Sequence, residues 1–212
     1  MRITILYDNT IFNDRLNSGW GFSALVETAG HRFLFDTGEN GKILLDNMAQ
    51  LAVDPKTIDT VFISHHHFDH VGGLSHFLNS NANVTLFSPE SFRGVKSVHK
   101  NIYISGATAI YPNIYSTGEL DGIEQSLLIK TAKGVVIIVG CAHPGLDKIM
   151  AKARAHGDIH AIIGGFHGYK KTKPLTDVNY LCPTHCSRFA DNFKKAFPDK
   201  FLKGGAGRVI TL

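Results

Sequence analysis

Four histidines and an aspartate lie close together in the segment SHHHFDHVGG, residues 64–73. Side chains two positions apart point to the same side of an extended chain but lie about 200° apart on an α-helix. His65 and His67 can therefore bind one metal ion together only if their backbone is strand-like. The apolar run Val61 to Ile63 directly before them predicts that backbone.

Asp69 and His70 follow the predicted strand end, where the chain can turn towards a second ion. Gly72 and Gly73 then permit a sharp turn. Imidazole and carboxylate ligands suit Zn²⁺, and the same donors accept iron, manganese, cobalt or nickel. The segment predicts a metal site with zinc as the first choice, against the alternative of a solvated histidine-rich loop.

Three more histidines each follow an apolar run: His143 in VVIIVGCAHPG, His167 in AIIGGFHG and His185 in YLCPTHC. One such histidine alone would more often belong to the core or the surface. Their shared context, together with the first motif, predicts that they lie at the same site. His66 would point away from its two neighbours and is not expected to be a ligand.

Composition narrows the class of protein. The chain has 212 residues, 43% hydrophobic and 19% charged, which suits a single globular domain over residues 1–212, with two small domains as the alternative. A net charge of +4 fits an anionic small-molecule substrate and falls short of the basic stripe of a nucleic-acid binder. No apolar run is long enough to span a membrane and no signal peptide is evident, so a cytoplasmic location is expected. The oligomeric state is not indicated.

The cysteines predict free thiols. Three of them, Cys141, Cys182 and Cys186, are too few and too unevenly spaced for a disulfide framework. They lie near His143 and His185 in the sequence, and since thiolates are soft metal ligands, metal binding is the alternative interpretation. Packing beside the strand ends is the preferred interpretation, because nitrogen and oxygen donors already fill the predicted site.

The hydrophobic pattern predicts a layered α/β fold. Short β-branched runs predict eight strands, at 3–6, 33–35, 61–63, 84–87, 127–129, 135–139, 161–163 and 209–212. Apolar residues at helical spacing predict helices around 43–52, 146–153 and 189–197. Loose alternation of the two favours a mixed sheet or two sheets. The polar, turn-rich segment 89–122 is interpreted as a flap or loop over a site.

Together these motifs resemble the metallo-β-lactamase fold superfamily, whose members carry HxHxDH after a strand and further histidines at later strand ends. FLFDTG at 33–38 resembles the early Asp-Thr-Gly turn of that family. The resemblance covers nearly the whole chain and implies a four-layer αββα sandwich. GFSALVE, EQSLLIKTAKGVVIIVGCAHPGL, IIGGFHG and PTHC are most similar to the dihydropterin-ribofuranosylaminobenzene-phosphate synthase-like branch.

The resemblance implies a centre with two divalent metal ions. The ligands carried over by position are His65, His67 and His143 for the first ion, and Asp69, His70 and His185 for the second. Asp69 is also expected to be catalytic, and Asp36 to be structural beside the metal loop.

The chain departs from the family pattern in three places. Many members have a bridging Asp or Cys about where His167 stands. We expect His167 to act as a substrate hydrogen-bond donor or general acid, with weak coordination as the alternative. HCSR at 185–188 replaces the more frequent His-Cys-Thr-Gly of the branch, and the chain is shorter around 89–122.

The chemistry of such a site predicts hydrolysis. Two metals about 3.5–4 Å apart lower the pKa of a shared water and polarise a phosphoryl or carbonyl oxygen. Lys170 and Lys171, just past His167, are expected to bind a substrate phosphate unless they form a solvated loop. The predicted function is phosphodiester or ester hydrolysis, by metal-bound hydroxide, of a phosphorylated or other anionic small molecule.

Four alternatives stay open. The metals could hold the pyrophosphate leaving group in a pterin-dependent transferase, or serve a non-catalytic metal sensor. A nuclease would need a basic groove, and the modest charge disfavours it. A di-iron redox enzyme usually has Glu where this chain has His67.

Overall fold

The computed structural model describes residues 1–212, which divide into two compact units. Unit 1 comprises residues 1–103 and 204–212, and unit 2 comprises residues 104–203. Each unit is built on one large sheet with packed helices. The prediction of an α/β fold with two sheets is therefore confirmed. The assignment of residues 1–212 to one domain stays a prediction.

Unit 1 contains a seven-stranded sheet. Its strands are β1 (Arg2–Tyr7), β2 (Ser23–Thr28), β3 (His31–Phe35), β4 (Thr60–Phe62), β5 (Thr85–Pro89), β6 (Lys100–Ile104) and β13 (Val209–Thr211). Their order across the sheet is β13-β1-β2-β3-β4-β5-β6. The helices are α1 (Gly41–Gln50), α2 (Phe68–Val71) and α3 (Leu74–Ser80), and a 3-10 turn covers Pro55–Thr57.

Parallel strands in unit 1 determine where its polar loops emerge. β3 pairs in parallel with β4, and β4 with β5, so their carboxyl ends share one edge of the sheet. Leu34, Val61 and Leu86 belong to a buried cluster that also includes Leu44 of α1 and Phe77 of α3. This buried apolar surface fixes the sheet against its helices and so anchors the loops that follow β3 and β4.

Unit 2 contains a six-stranded sheet. Its strands are β7 (Thr108–Tyr111), β8 (Ile114–Ser116), β9 (Leu127–Thr131), β10 (Gly134–Val139), β11 (Ile159–Gly165) and β12 (Tyr180–Thr184), in the order β12-β11-β10-β9-β8-β7. The helices are α4 (Leu146–Arg154) and α5 (Ala190–Ala196), and a 3-10 turn covers Lys173–Leu175.

Unit 2 also brings parallel strand ends to one edge. β10 pairs in parallel with β11, and β11 with β12. Val135, Ile137 and Ile162 pack in one buried cluster with Ile149 and Ala153 of α4. The three loops after these strands therefore start from a rigid edge, and each contains one of the histidines singled out by the sequence.

The interpretation of 89–122 as a flap or loop is wrong for the segment 100–116. Residues 100–116 form β6, β7 and β8, and the last two make a hairpin that turns at Pro112 and Asn113. Asn113 has φ of 64°, a left-handed conformation that asparagine adopts more readily than most residues. The pattern was obscure because these strands are short and lie towards the outer edges of the sheets.

Two further strands, β2 and β12, were not predicted as strands. Eight strands were expected and thirteen are present. The longest helix, α1, has ten residues, so no helix of the chain could cross a bilayer.

Candidate metal centre

The histidine loop of unit 1 has the backbone that its spacing requires. It begins at the carboxyl end of β4, and His67, with an extended φ of −62° and ψ of 143°, immediately precedes α2. The ring centroid of His65 lies 4.6 Å from that of His67 and 4.1 Å from that of His70. Asp69 Oδ2 lies 3.8 Å from His70 Nε2. The motif thus gathers its donors, while His66 is exposed.

A buried carboxylate, Asp36, orients this loop from the neighbouring strand end. It accepts hydrogen bonds from the Ser64 backbone N–H (2.7 Å) and the Ser64 hydroxyl (2.6 Å). His70 Nδ1 lies 2.7 Å from Asp36 Oδ2, and Ser64 Oγ lies 2.8 Å from His65 Nδ1. Asp36 therefore fixes His70 directly and His65 through Ser64, which leaves the Nε2 atoms as the donors for a metal.

Unit 2 has its own buried carboxylate, Glu124, which is 1% exposed. It accepts hydrogen bonds from three successive backbone N–H groups, those of Cys141 (2.9 Å), Ala142 (3.0 Å) and His143 (2.9 Å). His143 Nδ1 lies 2.9 Å from Glu124 Oε2. Glu124 therefore shapes the loop after β10 and directs the Nε2 atom of His143 away from itself.

His167 follows β11, the parallel neighbour of β10, and His185 follows β12, the parallel neighbour of β11. The ring centroids of His143 and His167 lie 5.1 Å apart. Burial lowers the pKa of His167, and the nearby imidazole of His143 and the guanidinium of Arg188 lower it further. The lowered pKa favours the neutral imidazole of His167, which can donate one hydrogen bond or offer one lone pair.

Strained backbone marks these loops. Three non-glycine residues in the loops of unit 2 have left-handed φ values: Ala142 (59°), His167 (45°) and His185 (52°). Asp36, which hydrogen-bonds to the histidine loop of unit 1, also has a left-handed φ, of 51°. Each such residue costs roughly 1–2 kcal/mol. The hydrogen bonds of Asp36 and Glu124 stabilise two of these loops and so offset the cost of the strained backbone.

Two cysteines lie beside the histidines of unit 2. Cys141 Sγ and Cys186 Sγ are 3.2 Å apart, and the contact lowers the pKa of the Cys186 thiol. The donor atoms of Cys141, Cys186 and His185 lie within 4.8 Å of one another. Cys182 is buried within β12. None of the three forms a disulfide bond, as the sequence predicted.

The two lysines proposed for substrate phosphate have different surroundings. Lys171 Nζ donates to Asp147 Oδ2 at 2.6 Å, and the Tyr169 hydroxyl donates to Asp147 Oδ1 at 2.6 Å. These two hydrogen bonds hold the pKa of Asp147 below its usual value. Lys170 is exposed. Lys170, unlike Lys171, takes no part in the ion pair with Asp147.

The donor set fits divalent metal ions. Metal-binding histidines usually have their second ring nitrogen held by a carboxylate or a carbonyl, and His70 and His143 both show that arrangement. In unit 1 the structure groups His65, His67, Asp69 and His70, and in unit 2 it places His143, His167 and His185 after parallel strands.

Comparison with known proteins assigns the family. The metallo-beta-lactamase superfamily profile matches residues 21–126, half of the chain. The chain therefore belongs to the metallo-β-lactamase superfamily, and the predicted fold type is confirmed.

Two of the proteins that match over nearly the full chain share 27% identity with it. One is 7,8-dihydropterin-6-methyl-4-(beta-D-ribofuranosyl)-aminobenzene-5'-phosphate synthase of Methanocaldococcus jannaschii, 27% identical across 98% of this chain and 95% of its own length. The other is the crystal structure of Tm1679, a metal-dependent hydrolase of the beta-lactamase superfamily, with 27% identity, a TM-score of 0.82 and coverage of 100% and 99%. Human tRNase Z, short form, shares the fold at 14% identity, a TM-score of 0.66 and coverage of 100% and 99%.

Two residues of the site were missed by sequence reasoning, Glu124 and Ser64. Glu124 lies 19 residues before His143 in an ordinary amphipathic context, so no spacing rule connects them. Ser64 is adjacent to the motif, and its position directly before the first histidine was the only available signal.

Proposed function

We propose that this chain is a metal-dependent hydrolase that acts on a phosphorylated or other anionic small molecule through a binuclear centre. The proposed ligands are His65, His67 and His143 for one ion, and Asp69, His70 and His185 for the other. Zinc is the proposed metal. The proposal rests on family membership and on the matching motif positions.

The observation that carries this proposal is the pair of buried carboxylates. A buried histidine that only packs can satisfy its Nδ1 with a neutral partner, whereas a buried carboxylate in that place costs desolvation of a charge. Asp36 and Glu124 each do this for a histidine that the family motif identifies as a ligand. The similarity to a metal-dependent hydrolase supports the reaction class.

Each side chain then has a defined task. Divalent ions bound there would supply Lewis acidity to polarise a phosphoryl or carbonyl oxygen and to activate water. Asp69 would bind metal and orient the attacking water through its carboxylate. His167, neutral and only partly exposed, would donate a hydrogen bond to a substrate oxygen. Lys170 would attract the substrate anion, since Lys171 is held by Asp147.

The test is metal content by elemental mass spectrometry on untagged protein, paired with turnover of bis(4-nitrophenyl) phosphate and 4-nitrophenyl acetate before and after chelation. We expect about two metals per chain and turnover that chelation abolishes. His67→Ala and Asp69→Ala should each lose at least about 100-fold in kcat/KM. His66→Ala, an exposed histidine of the same loop, is the matched control. Wild-type turnover in His67→Ala would refute the site.

His167→Ala separates the two roles open to that residue. Retained metal with lost turnover would identify a catalytic or substrate-binding group. Loss of one metal would identify a ligand. The expected result is retained metal, because a neutral imidazole is a poor bridge between two ions.

A second candidate is supported by the similarity to the Methanocaldococcus jannaschii synthase over 98% of the chain. In that case the chain would transfer a pterin from its pyrophosphate to a phosphorylated ribosylaminobenzene. Release of pyrophosphate in the presence of both substrates would identify this reaction. Tight metal binding with neither activity would indicate a non-catalytic metal sensor.

A further inference from the structure

A concave pocket lies on unit 1 beside the histidine loop. It encloses about 440 Å³ between α2, α3 and the segment 92–97. Small-molecule sites typically measure roughly 300–1,000 Å³, so this pocket can hold one ring system with its substituents. We refer to it as the α2–α3 pocket.

Its walls are mainly apolar. Phe68 and Val71 of α2, Leu78 of α3, and Phe92 and Val95 of the facing segment line it. Phe68 is 70% exposed, which is unusual for a large aromatic side chain. An exposed ring that continues an apolar concavity forms part of a contiguous apolar surface of the kind that lines ligand-binding grooves.

The pocket shares a helical turn with the proposed metal ligands. Phe68, Val71 and Gly72 line it and occupy positions i, i+3 and i+4, which fall on one face of a helix. Asp69 and His70 lie on the other side of the same turn. A helix with its side chains is about 10–12 Å across, so a molecule of two linked groups can reach both sides.

Polar groups among the lining residues define the ligand further. Lys96 supplies an ammonium group, and Ser75 and Asn79 supply neutral hydrogen-bonding groups. The pocket residues include no carboxylate to oppose Lys96. The aromatic rings of Phe68 and Phe92 suit an aromatic ligand, and the ammonium group of Lys96 favours a ligand with negative charge.

We propose that the α2–α3 pocket binds an aromatic anion, and that it holds the aryl portion of the substrate hydrolysed at the metal centre. The second part of this statement rests on the proposed function. The first part concerns binding alone and can be tested without turnover.

The experiment uses the metal-loaded protein and two probes, 8-anilinonaphthalene-1-sulfonate for fluorescence and 1-naphthyl phosphate as competitor. Ser75→Trp fills the pocket from an exposed position of α3, and Ser80→Trp adds the same ring to the same helix outside the pocket. Lys96→Glu reverses the rim charge, and Lys100→Glu makes the same change in net charge on β6. Metal content is measured for every variant.

Wild-type protein should bind the fluorescent probe, and 1-naphthyl phosphate should displace it. Ser75→Trp should weaken probe binding at least tenfold and raise KM for bis(4-nitrophenyl) phosphate. Lys96→Glu should weaken binding at least threefold, and neither control should change it.

Several results would overturn the proposal. The first is equal probe binding by Ser75→Trp and Ser80→Trp, and the second is equal probe binding by Lys96→Glu and Lys100→Glu. The third is failure of 1-naphthyl phosphate to displace the probe, which is expected if an apolar protein segment is the true occupant.

If His67→Ala abolishes turnover while probe binding persists, both proposals stand. If wild-type protein has no turnover but Ser75→Trp still abolishes probe binding, the hydrolase assignment fails and the pocket remains a site for aromatic anions.

Discussion

Each unit has a buried carboxylate that contacts a histidine of the proposed site, but the two carboxylates differ in their other hydrogen-bond partners. In unit 1, Asp36 accepts one backbone N–H and contacts two side chains, Ser64 and His70. In unit 2, Glu124 accepts three backbone N–H groups and contacts one side chain, His143. The first carboxylate therefore orients side chains, whereas the second mainly shapes a loop.

This difference follows from where each loop begins. The loop after β4 is already extended when it reaches His67, so only the imidazoles need orienting. The loop after β10 turns through a left-handed Ala142, and three converging N–H groups need a common acceptor. The two arrangements should therefore respond differently when the carboxylate is altered.

The largest effect is expected for Asp36→Ala. Removing one partner of a fully buried carboxylate–imidazole pair typically costs about 3–5 kcal/mol in unfolding free energy. Metal binding should fall with it, because His70 and His65 both lose their orientation. Urea unfolding and metal content measure the two effects. Asp14→Ala, an exposed aspartate of unit 1, serves as control, and stability equal to that control would contradict the role given to Asp36.

Glu124→Gln should have a smaller effect on stability and a clear one on metal. Glutamine keeps one carbonyl oxygen for the N–H groups of Cys141 and Ala142, but its amide nitrogen replaces the charged oxygen that contacts the backbone N–H and the ring of His143. Metal affinity should fall about 10–100-fold with circular dichroism unchanged. Glu124→Ala removes the loop acceptors as well and should destabilise the protein further. If both variants behave alike, the loop does not depend on the remaining oxygen.

Ser64→Ala tests the relay that only unit 1 possesses. The backbone N–H of residue 64 still donates to Asp36, but the hydroxyl between Asp36 and His65 is lost. Unfolding free energy should drop by about 1–2 kcal/mol. Metal affinity, measured by competition with a chromogenic chelator, should fall about tenfold. Wild-type affinity would show that His65 is held by its packing alone.

The smallest effect concerns Tyr7, a buried residue of unit 1. Burial raises the pKa of Tyr7 to about 12, with a further contribution from the Glu39 carboxylate. Because an unfolded tyrosine titrates near about 10, this stabilisation is complete below pH 10 and is lost as the pH rises through 12. Tyr7→Phe cannot titrate, so the stability difference between it and wild type should shift in favour of the variant over that interval. Urea unfolding at pH 9 and 11.5 measures it, and a constant difference would contradict the assignment.

The sequence predicted the parts of the site that lie close together along the chain. The i, i+2 spacing of His65 and His67 required extended backbone, and the structure has an extended His67 and brings the two ring centroids to 4.6 Å. Strands β10 and β11 were evident from their apolar runs, so the histidines that follow them could be recognised. Asp36 was found through its family motif.

What the sequence could not predict depends on tertiary contacts. A lone glutamate such as Glu124 has no periodicity, and its partners lie 17 to 19 residues away. The strands within residues 100–116 were missed because short edge strands take much of their stability from neighbours rather than from their own residues. The ion pair of Lys171 with Asp147, 24 residues apart, was invisible for the same reason.

The distance between each ligand loop and its carboxylate sets a limit on how this chemistry can be moved between proteins. Asp36 lies 34 residues before His70, on the end of a different strand. If only the HHHFDH peptide were transferred to another scaffold, its metal-donor atoms would be present but Asp36, the carboxylate that orients them, would be missing. The smallest transferable module is a pair of adjacent parallel strands with both of their loops, and an engineer would have to graft it as a block.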